Sequence, residues 1–244
     1  MSKKRVDRLL FERGLVETRS RALALILEGK ITVDGLKVNK AGTMVAPDSE
    51  IRIIGKGIPY VSRGGLKLES ALNEFNINVK DKIAMDVGAS TGGFTDCLIK
   101  HGAKKVYAID VGYGQLAWSL RQNPKVFPIE RVNIRYMERT AIKDEIDIAT
   151  VDTSFISLEK VLPAVKRFLR KNGEIIALIK PQFEVGKGEV GKGGIVREET
   201  KRMEVLERIK DLAKVLGLSV SGLIISPIHG YKGNIEYLIY LRLS

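Results

Sequence analysis

Two aspartates and a cluster of glycines in the first half of the chain are the residues best suited to bind a nucleoside. The apolar run that begins at Ile83 ends in Asp86, and a glycine-rich turn follows it. A second apolar run ends in Asp110, twenty-two positions after Gly88. A strand, a glycine turn, a helix and a second strand tipped by an acid form a nucleoside-binding βαβ unit, because glycines let the ligand approach the backbone and the second carboxylate accepts ribose hydroxyls. An ordinary tight turn of an α/β fold is the alternative.

The spacing of the glycines indicates which nucleoside is bound. A dinucleotide site has the pattern G-x-G-x-x-G, whereas here the glycines stand at positions 88, 92 and 93 and Asp86 lies two residues before the first. This order is closer to the D-x-G-x-x-x-G-G turn of enzymes that use S-adenosylmethionine (SAM), in which no pyrophosphate has to be held. We therefore expect SAM as the cofactor. The expected cofactor-binding residues are Asp86, Gly88, Ala89, Ser90, Thr91, Gly92, Gly93 and Asp110.

Charged residues also stand at the ends of later apolar runs. Asp152 ends one run and Lys180 ends the next, while Glu236 precedes the last one. Ligands of an open α/β sheet bind at the carboxyl ends of the strands, so this acid and lysine are candidates for proton transfer. A salt bridge at the strand ends is the alternative. Lys67 lies near the edge of the buried face of a predicted helix and would, taken alone, be an exposed lysine.

Two phenylalanines flank these charged residues in the sequence. Phe155 follows Asp152 by three positions, and Phe183 follows Lys180 by the same number. An aromatic ring beside a reactive position can stack a nucleobase. Burial of both rings in the core is an equally good explanation of the pattern.

Alternating strands and helices are predicted to position these side chains. Strands are expected near 83–88, 105–110, 126–130, 147–152 and 174–180, with helices near 64–75, 92–101, 114–122, 157–171 and 197–216. The alternation predicts a parallel sheet with helices on both faces, and a final hairpin of Leu218–Ser226 and Tyr237–Leu243 adds an antiparallel strand. The fold class is therefore α/β: a Rossmann-like SAM-dependent methyltransferase with a mixed seven-stranded sheet.

The first sixty residues predict a separate, small α+β unit with a basic surface. One short helix stops at Gly14, and a second is capped by Thr18 and stops at Gly29, with Ala22, Leu23, Ile26 and Leu27 facing inward. Asp34-Gly35 predicts a tight hairpin, and a further short strand covers 50–54. Residues 1–60 hold 12 Lys and Arg against 7 Asp and Glu, in a chain of net charge +12. This excess indicates a polyanion partner, although a generally lysine-rich composition would also produce it.

The N-terminal unit resembles the RNA-binding domain of the ribosomal protein S-four type. The resemblance lies in Arg5-Val-Asp-Arg-Leu-Leu, in Arg19-Ser-Arg-Ala and in the segment 27–38. It implies that two helices and a hairpin contact structured RNA, largely through phosphates. The implied RNA-binding residues are Arg5, Arg8, Arg19, Arg21, Lys30 and Lys37.

The whole chain resembles the TlyA-type ribosomal RNA 2′-O-methyltransferases, in which such a domain is fused to an FtsJ-like methyltransferase. The resemblance lies in segments 61–68, 86–96, 151–158, 179–184 and 233–237. It implies a Lys-Asp-Lys-Glu catalytic tetrad at Lys67, Asp152, Lys180 and Glu236, and cytidine 2′-hydroxyls of ribosomal RNA in one or both subunits as the substrate. The expected domains are an RNA-binding domain at 1–56, a linker at 57–61 and a methyltransferase domain at 62–244.

Composition restricts the other functions of the chain. Apolar residues make up 44% and charged residues 29%, which is typical of a globular protein, and no stretch has the length and apolarity of a membrane-spanning helix. Cys97 is the only cysteine and there are two histidines, so we expect no disulfide, no metal and a cytoplasmic protein. The expected partner is ribosomal RNA or a ribosomal subunit, with no membrane, and the expected oligomeric state is a monomer or a weak dimer. A non-catalytic ribosome-assembly factor is the alternative function, and a membrane-active hemolysin is a more distant one.

Overall fold

The protein consists of two compact units. The computed structural model describes residues 3–54, 58–186, 188–191 and 193–243, with the side chain of Tyr231 excepted. The chain divides into the units Met1–Pro59 and Tyr60–Ser244.

The N-terminal unit combines two helices with short strands. Its elements are β1 (Lys4–Arg5), α1 (Val6–Glu12), α2 (Arg19–Leu27), β2 (Ile31–Val33), β3 (Leu36–Val38), β4 (Met44–Val45) and β5 (Ile51–Ile53). Strands β3, β2 and β5 form an antiparallel sheet in that order, and β1 pairs with β4. The predicted cap at Thr18 is present, because its hydroxyl accepts a hydrogen bond from the amide of Arg21 at 3.1 Å. The pair of β1 and β4 was not expected, since two-residue strands leave no periodic pattern.

The buried face of α2 differs in part from the prediction. Ala22 and Ile26 are buried as expected, but Leu23 and Leu27 are 43% and 68% exposed. Leu25 is buried instead, at 3% exposure. The helix therefore turns its 22, 25 and 26 positions toward the core, which is the i, i+3, i+4 spacing of one helix face. The prediction for Leu23 and Leu27 was wrong because an all-apolar run does not reveal which side is buried.

The C-terminal unit alternates strands and helices. Its strands are β6 (Ile83–Val87), β7 (Lys105–Asp110), β8 (Val126–Glu130), β9 (Ile146–Val151), β10 (Leu169–Ile179), β11 (Leu218–Ile225) and β12 (Tyr237–Leu243). Its helices are α3 (Gly64–Glu74), α4 (Gly93–Lys100), α5 (Trp118–Arg121), α6 (Leu158–Lys166), α7 (Pro181–Glu184) and α8 (Glu199–Val215). Short 3₁₀ turns occur at Ile134–Tyr136, Arg139–Ala141 and Tyr231–Gly233.

The seven strands form one mixed sheet, as predicted. The order is β11-β12-β10-β9-β6-β7-β8, with β12 antiparallel to both of its neighbours and the strands from β10 to β8 mutually parallel. From β6 the chain proceeds to β7 and β8 on one side and then returns to β9 on the other. The strand order therefore reverses between β6 and β9, and the carboxyl ends of these two strands border a crevice, which is where open α/β sheets bind ligands.

Two predicted helices in this unit are shorter than expected, and one helix was not predicted. The helix expected at 157–171 ends at Lys166, because the fully buried Phe168 turns the chain inward and β10 begins at Leu169. The helix expected at 114–122 is reduced to the four residues of α5. The short helix α7, directly after Lys180, was not predicted, although Pro181 at its first position is a helix-start signal.

Candidate active site

A cleft of about 670 Å³ lies at the carboxyl edge of the sheet. Its walls come from the turn after β6, the segment after β9, the segment after β10, the first turn of α3 and the loop before β12. These segments are far apart in the sequence and meet only because the strands end at one edge of the sheet. All four residues of the predicted tetrad line this cleft, and so do Gly88, Ala89, Ser90, Thr91 and Gly93.

The turn after β6 needs glycine for steric reasons at several positions. Gly88 has a φ of +85°, and a Cβ added to it would lie 2.6 Å from the carbonyl oxygen of Asp152. The backbone amide of Asp152 donates to the carbonyl oxygen of Val87 at 2.9 Å, so the two strand ends are tied together at this point. At Gly93, a Cβ would clash with Ser62 Oγ. The backbone of this turn is therefore closely packed on its inner side and exposed toward the cleft.

Asp86 has a different environment from the one predicted for a cofactor-binding residue. Its side chain is fully buried, and its two oxygens accept hydrogen bonds from the hydroxyls of Thr95 at 2.7 Å and Thr150 at 3.1 Å. Burial raises the pKa of Asp86 to about 7, against the smaller lowering effect of these two hydrogen bonds. Asp86 does not line the cleft formed by the described residues. It connects α4 and β9 behind the glycine turn.

Asp110 also acts on the backbone of the turn. One carboxylate oxygen accepts a hydrogen bond from the amide of Ser90 and the other from the amide of Gly112, both at 2.7 Å. Ser90 is held with a φ of +49°, in the left-handed region. Asp110 is half-buried at the end of β7, and each oxygen keeps a further lone pair for a ligand. Like Asp86, Asp110 and Gly92 stand beside the cleft rather than in the wall that the described residues form.

Lys180 and Asp152 form an ion pair inside the cleft. The distance from Lys180 Nζ to Asp152 Oδ1 is 2.6 Å, and their side chains are 10% and 24% exposed. The same ammonium donates a hydrogen bond to Ser154 Oγ at 2.9 Å. The β9 and β10 strands are parallel and adjacent, so the residues that follow them lie side by side. The contact is a salt bridge at the strand ends, which was the alternative interpretation of this acid and lysine. A salt bridge with only a structural role, however, would not need to line a cleft.

Lys67 and Glu236 form a second ion pair in the same cleft. Lys67 Nζ lies 2.5 Å from Glu236 Oε2, and the side chains are only 12% and 3% exposed. Lys67 is therefore not the exposed lysine that its helix alone would suggest. Glu236 is held at the rim of the sheet by the start of β12, and the loop before it passes close by, because a Cβ added at Gly230 would clash with Glu236 Oε1.

The two phenylalanines behave differently from each other. Phe155 is 90% exposed and has a φ of +62°, whereas Phe183 is only partly exposed. Their ring centroids are 4.9 Å apart, and Lys180 Nζ lies 5.9 Å from the centroid of Phe183. A phenylalanine that is 90% exposed in a left-handed conformation buries little apolar area, which favours base stacking over a core position for Phe155.

Sequence reasoning did not single out several other residues that line the cleft. These residues are Ser62, Arg63, Ser154, Gln182, His229 and Asn234. Ser154 had a usable signal, because it lies two positions after Asp152 at a strand end. Gln182 had the same signal, two positions after Lys180, whereas Arg63 and His229 had none, since they depend on how a helix start and a loop fold onto the sheet.

The cations predicted to bind RNA are partly brought together in the N-terminal unit. Asp7 accepts hydrogen bonds from Arg5 at 3.0 and 3.1 Å and from Arg19 at 3.2 Å, so these two arginines share one buried carboxylate. The Arg5 guanidinium holds the pKa of Asp7 below its usual value. The side chains of the remaining candidates do not share this carboxylate. Arg8 pairs with Glu12, Arg21 donates to the carbonyl of Ile58, Lys30 pairs with Glu28, and Lys37 is exposed.

The cleft brings together a glycine turn with a close backbone, two ammonium–carboxylate pairs and an exposed aromatic ring. This combination suits the transfer of a group from a nucleoside-type donor to a weakly acidic hydroxyl, because it offers both a donor site and groups that can take up a proton. Within the described ranges, no helix is long and apolar enough to cross a bilayer, and no group of three or more His, Cys, Asp or Glu side chains is arranged to bind a metal ion.

Comparison with known proteins identifies the class of protein. Residues 60–243 match the model of the FtsJ-like methyltransferases, and residues 4–51 match that of the S4 domain. The chain belongs to the FtsJ-like methyltransferase family and has an S4 domain at its N-terminal end.

Several known proteins match this chain over nearly its whole length. The putative rRNA methyltransferase YqxC of Bacillus subtilis is 47% identical over 98% of this chain and 86% of that protein. The 16S/23S rRNA (cytidine-2′-O)-methyltransferase TlyA of Mycobacterium tuberculosis is 44% identical over 98% of this chain and 89% of that protein. A solved structure described as a putative hemolysin from Streptococcus thermophilus has a TM-score of 0.79 and 45% identity, and it covers all of this chain and 90% of that one.

Proposed function

We propose that the protein transfers a methyl group from SAM to the 2′-hydroxyl of a cytidine in ribosomal RNA. The observation that carries this proposal is the convergence of Lys67, Asp152, Lys180 and Glu236 in one cleft with the glycine turn. The RNA class and the nucleotide come from the curated relatives, one of which is named as a methyltransferase of cytidine 2′-oxygens in 16S and 23S rRNA.

The residues present fit SAM as the methyl donor. Gly88 and Gly93 let the turn pack closely against Asp152 and Ser62 beside the cleft, and Asp110 fixes that turn while keeping lone pairs for ribose hydroxyls. Gly88–Thr91, Gly93 and Asp110 would hold the nucleoside, and Asp86 and Gly92 would support the turn from behind. The bound donor supplies an electrophilic methyl group on a sulfonium.

The chain's own contribution is to place the hydroxyl and accept its proton. In the reaction a bond forms between the 2′-oxygen and the methyl carbon, the bond from that carbon to sulfur breaks, and the hydroxyl proton leaves. The Lys180–Asp152 pair would bind the 2′-hydroxyl and take up this proton. Alignment of well-held reactants lowers a barrier by ~7–11 kcal/mol, and a positioned base contributes roughly 10²–10⁴-fold. Glu236 would orient Lys67, and the charge of Lys67 would offset the negative charge of the two carboxylates in the cleft.

Recognition of the RNA would involve both units. The cations Arg5, Arg8, Arg19, Arg21, Lys30 and Lys37 would bind phosphates, which is a salt-dependent contribution. In the methyltransferase unit, the exposed ring of Phe155 offers a stacking face beside Lys180 for the base of the target nucleotide.

The proposal is tested with purified protein, ribosomal subunits and SAM labelled in the methyl group. Labelled RNA should resist alkaline cleavage at one or two positions, because a 2′-O-methyl group removes the internal nucleophile. Lys180→Ala should abolish labelling, while Lys171→Ala, an exposed lysine on the strand that precedes Lys180, should not. Label found on bases would overturn the 2′-O assignment, and full cellular function of Lys180→Ala would favour a non-catalytic assembly factor.

A further inference from the structure

Glu184 is a buried acid that the proposed chemistry does not use. It is the last residue of α7, four positions after Lys180, and only 7% of the residue is exposed. It does not line the cleft formed by the described residues. Burial raises the pKa of Glu184, although hydrogen bonds from Leu158 and Ser157 oppose the effect. A carboxyl group kept in such a place requires a structural explanation.

Both oxygens of Glu184 bind the segment that follows Asp152. Oε2 accepts a hydrogen bond from Ser157 Oγ at 2.7 Å, and Oε1 accepts one from the backbone amide of Leu158 at 2.9 Å. Ser157 is the N-cap of α6, where its hydroxyl also accepts from the amide of Glu159 at 3.1 Å. The side chain of Glu184 therefore satisfies helix-start groups that would otherwise be buried without partners.

Three cross-links connect the segment after β9 with the segment after β10. The first is the contact of the Lys180 ammonium with Asp152 and Ser154, and the second is the ring contact of Phe155 with Phe183. The third is the hydrogen-bonded contact of Ser157 and Leu158 with Glu184. The first two lie in the cleft, where substrate would displace or share them, whereas the third lies outside it and is buried. Because the third link lies outside the cleft, RNA can enter without displacing it.

The main chain of Glu184 is held as well. Arg208 on α8 donates a hydrogen bond to the carbonyl oxygen of Glu184, and its Nε lies 2.9 Å from Glu159 Oε1. The position of the side chain is therefore set from a third element. A group that joins two reactive segments from a fixed position is the kind of support that precise placement of reacting atoms needs.

We propose that Glu184 is a positioning residue that fixes the distance between Asp152 and Lys180 by joining their two segments. This inference rests on the proposed function of that pair. It predicts that the length and hydrogen-bonding capacity of the side chain matter and that its charge does not. Glutamine has the same length, its oxygen can accept from Leu158, and its NH₂ group can donate to Ser157 Oγ. Aspartate keeps the charge but is one methylene too short to reach both donors.

The test compares Glu184→Gln, Glu184→Asp and Glu184→Ala in steady-state methylation of ribosomal subunits. We expect Gln to retain kcat within about threefold, and Asp and Ala to lower kcat by roughly tenfold or more with the KM for SAM unchanged, because an ångström of misplacement is sufficient for such losses. Val161→Ala, a fully buried change on α6, serves as the stability control. It should lower the melting temperature with no loss of kcat.

Two kinetic results would overturn the proposal: full kcat in Glu184→Asp and Glu184→Ala, or a loss in Glu184→Gln as large as in Ala. Hydrogen exchange then separates failure of this inference from failure of the proposed function. In Ala and Asp, but not in Gln, the amides of 153–158 should exchange faster than in the wild type, and this holds even if the wild type methylates nothing. Unchanged exchange in Glu184→Ala would refute the joining role directly.

Discussion

Replacement of Asp86 with asparagine should make the protein more stable at neutral and alkaline pH. Asp86 is fully buried, and its partners are two neutral hydroxyls, those of Thr95 and Thr150. Burial raises its pKa to about 7 from an ordinary value of 3.8, and the nearby charge of Asp152 adds to the effect. The folded protein therefore binds this proton more tightly than the unfolded chain does.

The sign and size of the effect follow from this difference in pKa. Between pH 3.8 and about 7 the folded state holds a proton that the unfolded state has lost, so stability falls as the pH rises through this window. Above pH 7 the penalty is complete. At about 1.4 kcal/mol for each pH unit, it amounts to about 4 kcal/mol. The asparagine side chain would carry no such penalty, since an amide can accept from one threonine and donate to the other.

The assay is urea unfolding of the wild type and Asp86→Asn between pH 4.5 and 8.5. We expect the free energy of unfolding of Asp86→Asn to exceed that of the wild type by up to about 4 kcal/mol at pH 8, with the difference shrinking as the pH falls toward 4.5. Asp211→Asn, an exposed position, should show no such pH-dependent difference. If the free energies of unfolding of the wild type and Asp86→Asn changed with pH in parallel, the Asp86 carboxyl would be ionised in the folded state without cost. That result would refute the raised pKa of Asp86 on which the prediction rests.

The cleft gives rise to three further predictions. Lys67→Met leaves Glu236 buried without its partner and should lower the free energy of unfolding in urea by about 3–5 kcal/mol. The double variant Lys67→Met/Glu236→Leu should recover most of this loss, because it no longer buries an unpaired charge. Gly88→Ala should weaken SAM binding at least roughly tenfold in calorimetry, because the new Cβ meets the Asp152 carbonyl and distorts the turn, and unchanged affinity would contradict that. Phe155→Ala should change the free energy of unfolding by no more than about 0.5 kcal/mol, because the ring is 90% exposed. It should lower kcat/KM for RNA roughly tenfold, because the stacking contact with the base is lost. A kcat/KM equal to that of the wild type would refute the base-stacking role.

The sheet and the glycine turn could be predicted because their signals are local. Apolar runs that end in an acid or a lysine mark buried parallel strands, and glycines at fixed spacing mark the turn. The end of α6 could not be predicted, because the sequence continues to be compatible with a helix beyond Lys166 and only the burial of Phe168 turns the chain. The two-residue strands β1 and β4 depend on a tertiary pairing that no local pattern indicates.

The candidate site was predictable to the extent that strand ends determine it. Asp152 and Lys180 follow neighbouring parallel strands, so the rule for ligand sites in open sheets was sufficient to place them together. The same rule could not tell that Asp86 turns inward to Thr95 and Thr150, because side-chain direction at a strand end depends on packing. Lys67 entered only through resemblance to a family, since its contact with Glu236 joins positions that are 169 residues apart.

The central claim is that Asp152 and Lys180 act as one unit on a ribose 2′-hydroxyl, and a double-mutant cycle of methyl-transfer rates tests it most directly. Single-turnover formation of alkali-resistant 2′-O-methyl RNA would be measured for Asp152→Asn, Lys180→Met and the double variant, with SAM affinity recorded for each. Each single change should lower the rate by roughly 10²-fold or more, and the double variant should be no slower than the slower single variant. Losses that multiply in the double variant, or a rate in Lys180→Met close to that of the wild type, would contradict the account.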